Sequence, residues 1–271
     1  MKDRGIFLVK SMADTFSKLR ITRAAAALSY YLTMTIFPFL ICAAVILGNL
    51  NICESDLFEF LADVIPSEVM SVITEFFSNA SGNQTELMLF IGITAMLTSS
   101  SAAFRSFVGT MGEIQGKMRF TGIWGAVFSF MFSIVFLIAV YASGIVILSG
   151  EWLMQMLQIN INIFEMWSWM RFVALFLLLF GIIYSMYIIS APKETKKTHR
   201  LPGALVGSAA IVITSIVYSR MISASIRHTV LYGSLASVII MMIWLYTCGI
   251  ILIMGNVFNI SLRNMYEEFG S

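Results

Sequence analysis

Six long apolar stretches run through this chain, near residues 24–50, 87–104, 121–149, 170–190, 202–224 and 232–260. A spanning helix needs about 20 mostly apolar residues, because a rise of about 1.5 Å each must cover about 30 Å of hydrocarbon. Hydrocarbon offers no partner to a peptide N–H or C=O, so each span must satisfy its own backbone, and only a helical bundle does so with segments of this length. The expected fold class is therefore all-α: a polytopic membrane protein, a bundle of six transmembrane helices with short amphipathic helices at the membrane surfaces. Residues 1–271 form one integral membrane domain. The third and sixth stretches are long enough to tilt or to extend beyond the bilayer. The second is the shortest and most polar, with Thr98, Ser99, Ser100 and Ser101 in succession, which predicts that it faces other helices.

Composition points the same way. Hydrophobic residues make up 59% of the chain and charged residues 12%, against soluble averages of roughly 45–50% and 25%. So few charges cannot coat a soluble domain of 271 residues. The charges are also sorted. Lys2, Arg4, Lys10, Lys18, Arg20 and Arg23 precede the first stretch, and Arg105, Lys117 and Arg119 lie between the second and third. Lys193, Lys196, Lys197 and Arg200 separate the fourth from the fifth, and Arg263 follows the sixth. Residues 50–86 carry no Lys or Arg but hold Glu54, Asp56, Glu59, Asp63, Glu68, Glu75 and Glu86. This is the positive-inside pattern, and it places both termini in the cytoplasm. No dense basic face suited to nucleic acid is present.

Ile6, Val9, Met12, Phe16 and Leu19 recur every three or four residues among Lys2, Arg4, Lys10 and Lys18. That pattern predicts an amphipathic helix on the anionic cytoplasmic leaflet, with membrane lipids as its partner. No signal-peptide h-region and cleavage site is apparent there. In the outer connection Leu57, Phe60, Leu61, Val64 and Ile65 share one helical face, and the pattern restarts after Pro66 with Val69, Val72, Ile73, Phe76 and Phe77. Two extracytoplasmic amphipathic helices are expected over 55–79. The second outer connection, 150–169, carries Trp152, Trp167 and Trp169, which suit the membrane interface. Cys42 and Cys248 fall inside apolar stretches as small buried hydrophobes.

Chemistry-bearing residues are few. His199 and His228 are expected on opposite sides of the membrane, so no metal site and no cofactor is called for. Ser99, Ser100 and Ser101 have no base nearby in sequence, and small hydroxyl residues are common at helix contacts in membranes. No G-x-S-x-G, P-loop or H-E-x-x-H pattern occurs, and an enzyme is not expected. Three basic residues break the charge sorting: Arg171 at the start of the fourth stretch, Arg220 near the end of the fifth, and Arg227 just beyond it. They either snorkel to the outer headgroups or form a basic vestibule for an anionic or amphipathic substrate. Candidate substrate-binding residues are therefore Arg171, Arg220, Arg227, Ser99, Ser100 and Ser101. Gly233, Gly249 and Gly255 with Ser234, Ser237 and Asn256 give the sixth stretch a small, partly polar stripe suited to close packing. Asn256 and Asn259 are expected near water at its cytoplasmic end.

Several local patterns resemble one family. They are Arg23-Ala24-Ala25-Ala26-Ala27-Leu28-Ser29-Tyr30-Tyr31 leading to Ile36-Phe37-Pro38, then Ala191-Pro192 followed by Leu201-Pro202-Gly203-Ala204, then Tyr232-Gly233-Ser234-Leu235, Trp244-Leu245-Tyr246, Gly255 and Asn259. Their order and spacing resemble the YihY/BrkB-type inner-membrane proteins, called virulence factor BrkB and once misassigned as ribonuclease BN. The resemblance implies six transmembrane helices in the bacterial cytoplasmic membrane and no established activity, with export of lipid or lipopolysaccharide, or solute transport, suspected for some members. Family members often carry an acidic residue after Gly-Ala in the last helix, whereas here Gly255-Asn256 is followed by Val257. The resemblance therefore does not extend to a mechanism that relies on that carboxylate, such as proton coupling.

Overall fold

The computed structural model describes residues 2–50, 86–116, 122–138, 161–190, 200–223 and 234–269. Among the described residues it is all helix: α1 (Lys2–Lys18), α2 (Ile21–Leu50), α3 (Glu86–Gln115), α4 (Gly122–Ile138), α5 (Ile161–Ser190), α6 (Leu201–Ser223) and α7 (Ser234–Phe269). The amphipathic helices expected over 55–79 lie outside the described residues, as do His199 and His228. Each of the six apolar stretches is helical over its described residues. Two of them, Leu201–Met221 in α6 and Val238–Glu268 in α7, are long and apolar enough to cross a membrane. Gly122–Ile138 and Phe176–Ser190 are shorter apolar helices.

Packing moves several expected boundaries. The second stretch was expected to end at 104, yet α3 continues to Gln115 because Phe104, Phe107 and Met111 keep one face buried at helical spacing. Arg105 lies exposed on the other side of the same turn, so the charge marks a surface without ending the helix. Gly116, at φ 65°, supplies the left-handed residue that closes α3. The last stretch likewise runs past 260 to Phe269, with Val257, Ser261 and Met265 buried at successive four-residue steps. Residues 161–169 belong to α5 and not to a connection.

A two-residue turn joins α1 to α2. Arg20 adopts φ 47° there, and its carbonyl accepts from the N–H groups of Arg23 at 2.9 Å and Ala24 at 3.3 Å. The apolar residues of α1 do not share one surface, contrary to the single amphipathic face expected. Met12 packs against the main core and Ser11 shares a 3.0 Å hydrogen bond with Ser261 of α7. Ile6, Val9 and Phe16 instead point outward and are exposed.

The main core joins five helices: Ala25 and Leu28 of α2, Phe107 and Met111 of α3, Ile183 and Tyr187 of α5, Ala204 of α6, and Ile253 and Val257 of α7. A smaller cluster of Cys42, Met96 and Leu137 joins α2, α3 and α4 at the other end. Between the two clusters the Phe104 and Phe132 rings stack at 4.1 Å and tie α4 to α3. These contacts gather the start of α2, the ends of α3, α5 and α7 and the start of α6 at one end. Arg20, Arg23, Arg200 and Arg263 therefore collect at a common basic end. Outward faces are apolar: Leu87 and Phe90 of α3, Ile123 and Trp124 of α4, Leu177 of α5 and Ile213 of α6 are all more than half exposed. A water-soluble monomer rarely shows such a continuous apolar exterior. Exposed apolar faces of this kind suit contact with lipid.

Candidate functional site

The expected site residues do not converge among the described residues. On α3 Ser100 and Ser101 are buried, Ser99 is half-buried, and Thr98 faces outward with its hydroxyl on the Thr94 carbonyl at 2.9 Å. The inward-facing polar segment is thus borne out for two of its four residues. Arg220 is exposed in the last turn of α6. Arg171 lies on α5, but its side chain, like the whole of Arg227, falls outside the described residues.

Among the described residues, two of the buried polar groups link several helices. The first is a set of hydroxyls on α2, α3 and α4: Ser29, Thr33, Thr35, Ser100, Ser101, Ser129 and Ser133 are all buried. Most donate to their own helix, as Thr33 does to the Ser29 carbonyl at 2.8 Å and Ser129 to the Gly125 carbonyl at 2.8 Å. Such back-bonding makes a hydroxyl cheap to bury. Ser133 is the exception, since its buried Oγ finds no hydrogen-bond partner among the described residues.

The second group sits at the basic end, where α5, α6 and α7 cross. Leu252, Gly255, Asn256 and Asn259 fall at i, i+3, i+4 and i+7 on one face of α7. The first residues of α6 press into that face. A Cβ on Gly203 would collide with the Gly255 carbonyl, and one on Gly255 would lie 3.0 Å from the Gly203 carbonyl. Only glycine permits this approach. Asn259 Oδ1 accepts from the Gly203 N–H at 2.7 Å, and Asn259 Nδ2 donates to the Arg200 carbonyl at 3.0 Å. One of the open N–H groups of α6's first turn is therefore capped by a side chain from a neighbouring helix. Pro202 beside it has no N–H to satisfy.

Three further links close this group. Tyr187, fully buried on α5, donates its hydroxyl to the Leu252 carbonyl at 2.7 Å. Asn256 Nδ2 donates to Ser190 Oγ at 3.3 Å and to Met111 Sδ at 2.9 Å, which brings in α3. Arg200 is 5% exposed and donates from Nη1 to the Ile188 carbonyl at 3.2 Å, in the last turn of α5. The sequence pattern makes Arg200 one charge of a basic connection and puts the asparagines near water. The structure corrects both, because Asn256 and Asn259 are 2% and 4% exposed. Tyr187 carries no distinguishing sequence signal, because a tyrosine in an apolar run is legible only as an interface residue until its partner carbonyl is known. Chemically the group pairs donors with acceptors across helices and assembles no nucleophile with a base. Among the described residues, no three His, Cys, Asp or Glu side chains come together to hold a metal.

The family motifs meet in this same place. Leu201-Pro202-Gly203-Ala204 lies against Gly255 and Asn259, while the alanine run of α2 packs on Gly249, whose Cβ would stand 3.3 Å from the Ala25 carbonyl. Residues 12–270 match the family model for virulence factor BrkB. The chain belongs to the virulence factor BrkB family. Among curated relatives, it is 24% identical to the ribonuclease-like protein YfkH of Bacillus subtilis over 248 residues, covering 88% of this chain and 89% of that one. It is 23% identical over 265 residues to a UPF0761 membrane protein of Vibrio vulnificus, covering 93% and 80%. A UPF0761 membrane protein of Azoarcus is 23% identical over 278 residues, covering 96% and 64%. No solved structure matches. This BrkB family member is thus a membrane protein built of apolar helices, of a family without an established activity. Val257, which follows Gly255-Asn256, is 1% exposed within the main core.

Proposed function

We propose that this BrkB family protein is a transporter-like protein of the bacterial cytoplasmic membrane, with six transmembrane helices and both termini in the cytoplasm, that moves a lipid or a small anionic or amphipathic solute. The observation that carries this reading is the inversion of polarity. Apolar side chains face outward, while Ser29, Thr33, Ser100, Ser101, Ser129 and Ser133 are buried on three neighbouring helices. Hydroxyls also serve helix packing, but this many gathered on three adjacent helices of a lipid-facing bundle supply the polar lining that a solute path requires. Arg220, exposed at the far end of α6 from the basic node, is the described basic residue placed to attract an anion on the opposite side.

Flux into proteoliposomes tests the proposal, with labelled phospholipid and small anions as probes. Faster movement of either than in protein-free vesicles is expected, and it should fall when Ser100→Leu or Ser101→Leu fills the interior. Folded protein that moves neither overturns the reading.

A second reading is a non-transporting scaffold for envelope assembly. The closed hydrogen-bonded crossing of α5, α6 and α7 favours it, since that end is built for rigidity. Photo-crosslinking from Phe60 or Phe76 would then capture one dominant protein, whereas lipid adducts alone would count against it.

A further inference from the structure

We propose that α1 is an interfacial helix held between α7 and an anionic lipid leaflet, with Ile6, Val9, Ala13 and Phe16 inserted among the acyl chains. Those four residues fall at i, i+3, i+7 and i+10, so they form one stripe along the helix. All four are exposed, Ile6 and Val9 at 60% and 68%. The opposite face is already occupied. Phe7, Leu8, Ser11, Met12 and Thr15 are partly buried there, and the Ser11–Ser261 hydrogen bond fixes that side to α7. A helix with apolar residues on both faces is satisfied in neither water nor a protein core. It is satisfied at a boundary between protein and lipid.

Position and charge identify the occupant. The turn of Leu19 and Arg20 is too short to carry α1 away from the start of α2, whose apolar length begins at Ala24. The helix must therefore lie at headgroup level. Between residues 5 and 23 the charged side chains are Lys10, Lys18, Arg20 and Arg23 against Asp14 alone, and all five are exposed. A second copy docked on the stripe would set like charges against each other, which is costly. Anionic phospholipid headgroups supply the complementary charge, and each lysine near such a surface strengthens association roughly fivefold.

The full-length protein, with Cys42, Cys53 and Cys248 changed to alanine, would be placed in phosphatidylcholine nanodiscs with and without phosphatidylglycerol. Spin labels at Ile6→Cys, Val9→Cys and Phe16→Cys should collide more with oxygen than with a nickel chelate in the anionic discs, and a label at Lys10→Cys should show the reverse. The contrast should shrink in the neutral discs, and Lys10→Gln should weaken the anionic preference roughly fivefold. Labels as open to nickel as Lys10→Cys would overturn the proposal by placing the stripe in water. Dipolar broadening between labels at Val9→Cys would overturn it in favour of a second copy. Hydrogen exchange on the unaltered chain provides an independent reading: α1 amides should exchange more slowly in anionic discs, and equal rates in both discs defeat the idea.

Discussion

Asn259 satisfies two backbone groups on another helix at once, the Gly203 N–H and the Arg200 carbonyl. Its replacement leaves both buried without partners. An unmade buried hydrogen bond costs about 1–3 kcal/mol in general but nearer 0.6 kcal/mol on average inside membrane bundles, so Asn259→Ala should cost about 2 kcal/mol. Denaturant unfolding in detergent would measure it against Thr98→Ala, whose hydroxyl bonds only its own helix from an exposed site and should change stability by less than about 0.5 kcal/mol. Ser133 has the opposite sign. Its buried Oγ has no partner among the described residues, so Ser133→Ala removes a desolvation penalty and should raise stability by about 1 kcal/mol. A loss of stability would show that the hydroxyl has a hydrogen-bond partner beyond the described residues. At this scale the sequence made Ser100, Ser101, Asn256 and Asn259 visible as polar residues in apolar runs. It could not say which were satisfied, because a hydrogen bond depends on the neighbouring helix, and a helical period names only the face.

Element ends and crossings depend on a few backbone positions. Gly203 and Gly255 let α6 and α7 approach until backbone meets backbone, and Tyr187 packs over the crossing. Since the obstacle to a Cβ at Gly203 is main chain, relaxation is difficult and Gly203→Ala should cost about 3 kcal/mol, the upper end for overpacking. Gly5→Ala, where nothing lies within 4 Å of the added carbon, serves as the control. Melting temperatures of the two variants decide the matter. Arg20 supplies the turn between α1 and α2 at φ 47°. Glycine there relieves about 1 kcal/mol of left-handed strain but gives back about as much in chain entropy, so Arg20→Gly should be near neutral. Arg20→Val should destabilise, because a β-branched residue is a genuine outlier in that region. The glycines were legible as sequence signals, whereas the break at Leu19 and Arg20 was not, since Leu19 continues the apolar pattern of α1. The lengths of α3 and α7 were not, since Phe107, Met111, Ser261 and Met265 extend helices for the sake of packing beyond the apolar windows.

For the whole molecule, charge sorting predicts orientation and the contacts supply consistency. Helix ends carrying Arg20, Arg23, Arg200 and Arg263 lie together, as a positive-inside bundle requires. A fluorescent protein fused after Ser271 should therefore glow, while alkaline phosphatase inserted after Gly150 should be active. Reversal of both signals would invert the orientation, and disagreement between them would break the six-span reading.

Composition and periodicity alone determined that this chain is helical, membrane-bound and charge-sorted, since those properties follow from single residues and their spacing along one helix. Tertiary structure decided which helix each polar face meets. It converted Arg200, Asn256 and Asn259 from a basic connection and a wet helix end into a closed interhelical node, and it split the apolar face of α1 between protein and surroundings. The physical reason is common to all of these. Hydrogen bonds and close glycine contacts are properties of pairs of helices, and a sequence pattern describes only one helix at a time.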